Sequence, residues 1–159
     1  MPDMHIEQID PARFDAKKII ALSDEFYRDL YPPESSHLES SDDLQQSHVI
    51  FLGGFVDGQL VASVAAKLMQ DDGDYAEIKR LFVIETHRGM GLSIAIMNFI
   101  EAELERQGVR LLRLETGVEQ PEAIMLYTKL GYLKRGPFGQ YQDDPLSVFM
   151  EKTGIDGEA

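Results

Sequence analysis

The sequence predicts a mixed α/β fold, a central twisted sheet of about seven strands with helices packed against it. Three observations point there. Apolar, strand-forming runs at 48–56, 59–69 and 75–84 follow one another with only short turns between them, so three strands are joined as hairpins. A helical stripe and a further strand come next, and a strand–helix–strand unit makes its two strands parallel. The chain has 159 residues, 43% hydrophobic and 27% charged, the size and balance of one domain spanning residues 1–159.

In chain order, His5–Ile9 alternates and reads as a short first strand. Asp10-Pro11 is expected to open a helix with proline in its first turn, and Ile19, Leu22, Phe26 and Leu30 recur at helical spacing along it. Two prolines after Tyr31 stop that helix, and "ESSDDLQQS" reads as a short polar one. Asp57-Gly58 is a two-residue hairpin signal. "QDDGD" is the next turn, because it lacks the remaining ligand spacing and the terminal glutamate of a calcium loop. Leu92, Ile96, Phe99, Ile100 and Leu104 form the stripe of a helix ending near Gln107-Gly108. "VRLLRLET" is a strand, and "QPEAIMLYTKL" a helix with Pro121 near its start and Gly131 at its stop. Tyr132–Arg135 and Leu146–Lys152 close the chain as a pair of strands around "GPFGQYQDDP".

Fifteen Lys and Arg against 28 Asp and Glu give a formal net charge of −13. Binding nucleic acid requires phosphate neutralisation, which this balance opposes, whereas an acidic surface favours cationic partners such as amines. No apolar run approaches the ~20 residues of a membrane span. The amino end lacks the basic and apolar regions of a signal peptide, so a cytoplasmic protein is expected. There is no cysteine, hence no catalytic thiol or disulfide. His5, His37, His48 and His87 are scattered without ligand spacing, and no metal site is expected.

The stretch "THRGMGLS" joins the third hairpin strand to the following helix. A glycine-rich turn there leaves first-turn N–H groups free, and the helix dipole adds partial positive charge, so the turn suits an anion such as phosphate. Arg88 adds a cation whose fork matches phosphate oxygens. Spacing excludes a P-loop and a dinucleotide-binding G-x-G-x-x-G.

Arg88 through Ser93 fit the pattern Q/R-x-x-G-x-G/A except at Ser93, and "RLFV" before it and "AIMLYTKLGY" after it extend the match. On these residues the chain resembles the GNAT N-acetyltransferases, which use acetyl-CoA. "PPES", "EIKRL", "LETG" and "DPLSVFMEK" narrow the resemblance to a bacterial subgroup of that family. The resemblance implies a GNAT-like acyl-CoA N-acyltransferase fold and transfer of an acetyl group to a primary amine of a small molecule, amino acid or peptide. Backbone groups of Leu81, Phe82 and Val83 would meet the pantetheine arm, and the amides of Gly89, Met90, Gly91, Leu92 and Ser93 the pyrophosphate, with Arg88 beside them. Gln120 stands where relatives often have a cofactor-contacting Asn. Glu77 matches the family's glutamate base, with Glu115 of "LETG" as the alternative, and Tyr127 matches the tyrosine that serves as acid near sulfur. The proline-braced loop with Glu34, Ser35 and His37 would border the acceptor pocket, with Tyr141 and Asp144 on the other side. Glu77 read without the resemblance is a strand residue paired to Lys79 or Arg80. A non-catalytic CoA-binding module, a different acyl-CoA, and a homodimer all stay open at this level.

Overall fold

The computed structural model describes residues 3–35 and 38–153. Seven strands form one sheet: β1 (His5–Gln8), β2 (Val49–Val56), β3 (Gln59–Met69), β4 (Tyr75–Val83), β5 (Leu111–Gly117), β6 (Leu133–Arg135) and β7 (Ser147–Thr153). Their order across the sheet is β1-β2-β3-β4-β5-β7-β6. Every neighbouring pair is antiparallel except β4 and β5, which are parallel and joined by helix α3 (Leu92–Arg106). The remaining helices are α1 (Phe14–Leu30), α2 (Ser41–Leu44) and α4 (Pro121–Lys129). The expected mixed sheet and its element order are therefore observed.

Both faces of the central strands are covered, which explains why β2 and β3 read as continuous apolar runs rather than alternating ones. Val49 and Phe51 of β2 join Ala16, Ile19 and Ile20 of α1 in one core, while Ile50 and Leu52 join Ile96, Met97, Ile100 and Leu104 of α3 in the other. Those four α3 side chains are fully buried, and each stabilises the fold by roughly 1.5–3 kcal/mol through area removed from water.

Three sequence expectations shift. Asp10-Pro11 forms a turn rather than a helix start: Asp10 Oδ1 accepts from Ala12 N at 2.9 Å, and α1 begins only at Phe14. Leu22 is exposed, because Ser23 faces the sheet and neighbours on a helix point about 100° apart. Phe99 is exposed for the same reason beside Ile100. Glu101 takes a buried place on α3 instead, held by the Tyr132 hydroxyl at 2.7 Å and Lys152 Nζ at 2.8 Å. The short polar helix at 41–44 forms, with a reciprocal cap between Ser40 and Asp43.

Two irregularities open the sheet at its centre. β4 and β5 pair only over Ala76–Ile78 and Leu112–Leu114, after which both strands continue but separate. On its other side β4 carries a bulge: Ser63 faces Phe82 and Ala65 faces Lys79, so Arg80 and Leu81 together oppose Val64.

Candidate active site

Arg80 sits at the bulge with φ +61°, a left-handed conformation that costs a non-glycine residue on the order of 1–3 kcal/mol. Its guanidinium is buried and held through both Nη groups, while Nε has no hydrogen-bond partner. Nη1 donates to Ser23 Oγ at 3.1 Å and lies 2.7 Å from Asp24, and Nη2 donates to the Glu39 carbonyl at 2.5 Å. The bulge is thus pinned to α1 and to the segment before α2. Sequence reasoning assigned Arg80 no such role; its signal was a second consecutive basic residue, after Lys79, in a strand whose flanks are apolar. As a partner for Glu77 it is excluded by these contacts, and Lys79 takes that place at 3.5 Å.

Where β4 and β5 separate lie a narrow cavity and two grooves that share wall residues with it. The first groove, about 520 Å³, is lined by Leu81, Phe82 and Val83 of β4, by Gly89, Gly91, Leu92 and Ser93 of the glycine turn, and by Gln120 and Tyr127. Gly89 and Gly91 have φ +77° and +79°, which only glycine adopts without strain, and Gly91 precedes α3 with no side chain capping the helix. The first-turn amides of α3 therefore face the groove with no intrahelical acceptor. Met90, expected in the same cradle, is exposed and does not line the groove. The carbonyls of Leu81 and Val83 turn into the opening between the strands. Val83 O accepts from Arg88 Nε at 2.9 Å, and Leu81 O lies 3.5 Å from the Tyr27 hydroxyl. Arg88 stacks on Phe26 and Phe82, 5.3 Å from each ring centre. Its Nε is committed to the strand, leaving the Nη groups for an anion.

The narrow cavity, of about 70 Å³, shares Tyr27, Leu81, Gln120 and Tyr127 with the first groove. Glu115, at the end of β5, borders it. Burial pushes the Glu115 carboxyl up to about 7, against the Ser147 hydroxyl donating at 2.8 Å and the Lys79 charge. Burial also raises the Tyr127 phenol well above its ordinary value, with Tyr27 and Glu115 adding to it. Tyr31, a wall residue that sequence reasoning missed, donates to Gln120 Oε1 at 3.1 Å and accepts from Glu119 N at 3.1 Å. It fits only because Gly117 has no side chain: a Cβ there would lie 1.8 Å from the Tyr31 hydroxyl.

The second groove, about 620 Å³, shares Leu38, Glu39 and Lys79 with the narrow cavity. Glu77 is buried on its wall and accepts from the Tyr141 hydroxyl, which itself accepts from Lys79 Nζ at 2.8 Å. Burial, then the Glu77 carboxylate, drive the Tyr141 phenol far up. Glu34 lies on the same wall, in a single 3-10 turn after α1. Ser35 donates to Asp144 Oδ2 at 2.7 Å, so the proline loop and the late loop meet across the groove. His37 lies outside the described residues. Among the described residues no cluster of three or more His, Cys, Asp or Glu is placed to hold a metal, and no helix is long and apolar enough to cross a membrane.

A sheet open between two parallel strands, with a capless helix and glycine turn beside one groove and carboxylates beside the other, is suited to an enzyme that holds an anionic cosubstrate in one groove and a second substrate in the other. Comparison with known proteins agrees. Residues 16–132 match the family model described as the acetyltransferase (GNAT) family, and the chain belongs to that family. It is 40% identical over 152 residues to the "IAA acetyltransferase" of Azospirillum brasilense, covering 96% of this chain and 99% of that one. It is 29% identical over 154 residues to the uncharacterized N-acetyltransferase YsnE of Bacillus subtilis, covering 94% and 99%. Among solved structures, a candidate acyl-CoA N-acyltransferase from Klebsiella pneumoniae superposes with a TM-score of 0.78 at 34% identity, covering 94% of this chain and 97% of that one. The PaiA N-acetyltransferase of Thermoplasma acidophilum, in complex with coenzyme A, shares the fold with a TM-score of 0.73 at 19% identity, covering 96% and 99%.

Proposed function

We propose that the chain transfers the acetyl group of acetyl-CoA directly to a primary amine, with Glu115 as base. The observation that supports this best is the narrow cavity between the strands: it shares lining residues with both grooves, and Glu115 and Tyr127 both border it. Acetyl-CoA, when bound, supplies the thioester. The residues that would hold it are the amides of Gly89 to Ser93 with the Arg88 Nη groups for the pyrophosphate, and Leu81 to Val83 with Gln120 along the arm. The groove fits such a ligand because its glycines and uncapped helix leave donors that no side chain uses.

An alkylammonium has a pKa near 10.4, so it must lose a proton before it attacks. A carboxylate with a pKa of about 7 is half ionised at neutral pH and removes that proton far better than an ordinary one. Of the two protons the ammonium loses in forming the amide, one goes to the departing sulfur and one to water. Glu115 is favoured over Glu77, the first candidate on sequence grounds, because Tyr141 and Lys79 already engage the Glu77 carboxylate. Tyr127 is too weak an acid to protonate a thiolate of pKa near 8.5 outright, and it acts instead as a hydrogen-bond donor at the sulfur. Glu34, Ser35 and Tyr141 shape the acceptor end.

The test is release of free CoA thiol against a panel of amines, with the product identified by mass. Glu115→Gln should lower kcat by about 10²–10⁴ while acetyl-CoA still raises the melting temperature. Full turnover in Glu115→Gln, with loss in Glu77→Gln, would move the base to Glu77.

A further inference from the structure

The size of the narrow cavity limits the acyl group that a thioester can carry into it, an inference that rests on the reading that acyl-CoA occupies the first groove. Tyr27, Leu81, Gln120 and Tyr127 line both that groove and the cavity, so they form the neck between the two. Tyr31, Thr116, Gly117 and Leu146 line the cavity and neither groove, and they face whatever passes the neck. The space they leave is about 70 Å³, against about 520 Å³ in the groove outside. An apolar cavity of about 150 Å³ takes a benzene with its six heavy atoms, so about 70 Å³ takes roughly three. An acetyl group has three, a butyryl group five and a hexanoyl group seven, and the attacking nitrogen needs room beside them.

The second observation concerns how firmly that space is bounded. Tyr31 closes α1, where its amide donates to the Tyr27 carbonyl at 3.0 Å. Its hydroxyl donates to Gln120 Oε1 at 3.1 Å and accepts from Glu119 N at 3.1 Å. The same hydroxyl rests on the bare backbone of Gly117, where even a Cβ would come within 1.8 Å of it. The ring is therefore fixed from two elements besides its own, and added methylenes meet a wall that cannot yield without breaking these contacts. The other way out of the cavity runs past Leu38, Glu39 and Lys79 into the second groove. A longer chain turned that way meets the Glu39–Lys79 ion pair, 3.0 Å between Oε2 and Nζ, and takes the place of the amine.

We propose that Tyr31, seated on Gly117, is the acyl-length stop of this enzyme, admitting acetyl and excluding butyryl and longer groups. Calorimetry with acetyl-, butyryl- and hexanoyl-CoA on the wild type, Tyr31→Phe and Tyr31→Ala tests it, with CoA-thiol release in the presence of one amine as a parallel readout. In the wild type butyryl-CoA should bind at least about tenfold more weakly than acetyl-CoA, since a single methylene is worth about 10–200-fold in a fitted pocket. Hexanoyl-CoA should bind more weakly again, and kcat/KM should follow the same order. Tyr31→Ala should bring butyryl-CoA within about threefold of acetyl-CoA, whereas Tyr31→Phe, which keeps the ring, should retain most of the discrimination. Should Tyr31→Ala not fold by circular dichroism, Tyr31→Leu makes the same comparison and should shrink the ratio. Equal affinities for acetyl- and butyryl-CoA in the wild type overturn the inference, as does a ratio that Tyr31→Ala or Tyr31→Leu leaves unchanged, and acetyl transfer stands in either case. If affinity falls with chain length as expected but no amine releases thiol, amine transfer fails and the stop stands. If no acyl-CoA binds, the acyl-CoA reading fails and the stop falls with it.

Discussion

Burial holds the Glu115 carboxyl at about 7 against an ordinary value of 4.5, and the Ser147 hydroxyl offsets only part of that shift. Two consequences separate by sign. The base must be ionised to accept a proton, so kcat should rise with pH through an inflection near 7, and Glu115→Gln should remove that inflection. For stability the same shift runs the other way. Between pH 4.5 and 7 the folded protein keeps a proton that the unfolded chain releases, so stability falls as pH rises through that window and stays reduced above it. Glu115→Gln should therefore raise the melting temperature at pH 8, by a free energy of up to the order of 3 kcal/mol, and leave it unchanged near pH 4. A variant equally stabilised at both pH values would show that the carboxylate is not buried at such a penalty. Arg80 gives the contrasting residue. It joins a left-handed backbone to a guanidinium that holds Ser23, Asp24 and the Glu39 carbonyl. Arg80→Ala should destabilise by roughly 1–3 kcal/mol, as loss of the hydrogen bonds of a buried charged group does, measured by urea unfolding.

At the scale of elements, the turn before α3 was the most legible part of the site. Its glycines stand where strand gives way to helix, and the positive φ angles at Gly89 and Gly91 are what that pattern demands. Ser93 lies at the second position of α3 on the groove wall, so Ser93→Leu places a bulky side chain over the free amides. Acetyl-CoA affinity, read by calorimetry, should fall at least about tenfold, and unchanged affinity would overturn the cradle. Periodicity located α1 and α3 yet misplaced Leu22 and Phe99, because each helix buries a polar side chain, Ser23 or Glu101, whose partner comes from a distant element. Tyr31 escaped for a related reason. Its place depends on Gly117, on another element, which has no positive φ to advertise its purpose. Gly117→Ala should displace Tyr31 and, through Gln120, loosen the wall between the two grooves. We expect a raised KM for acetyl-CoA with the fold intact by circular dichroism.

At the scale of the whole molecule, the order of elements was readable because hairpin turns and helix stops are local signals, and the single parallel pair is the one joined by α3, whereas β1 and β2, also joined through helices, pair antiparallel and β7 lies between β5 and β6. The opening between β4 and β5 was not readable from spacing. It arises from a bulge registered against β3 and from side chains of α1 that reach β4, relations between segments far apart in the chain. Net charge, by contrast, is read directly, and −13 acts on the two substrates in opposite directions. Acetyl-CoA is a polyanion that approaches an anionic protein against the mean field, whereas a protonated amine acceptor of the kind proposed above is drawn toward it. At ~0.01 M ionic strength the field extends about 30 Å, and at 0.15 M about 8 Å. Added salt between these limits should lower the KM for acetyl-CoA and raise the KM for a cationic amine acceptor, whatever happens to kcat. Long-range charge explains opposite movements only. If both KM values rose together, salt would be weakening local contacts at both grooves, and the acidic surface would be a matter of solubility alone.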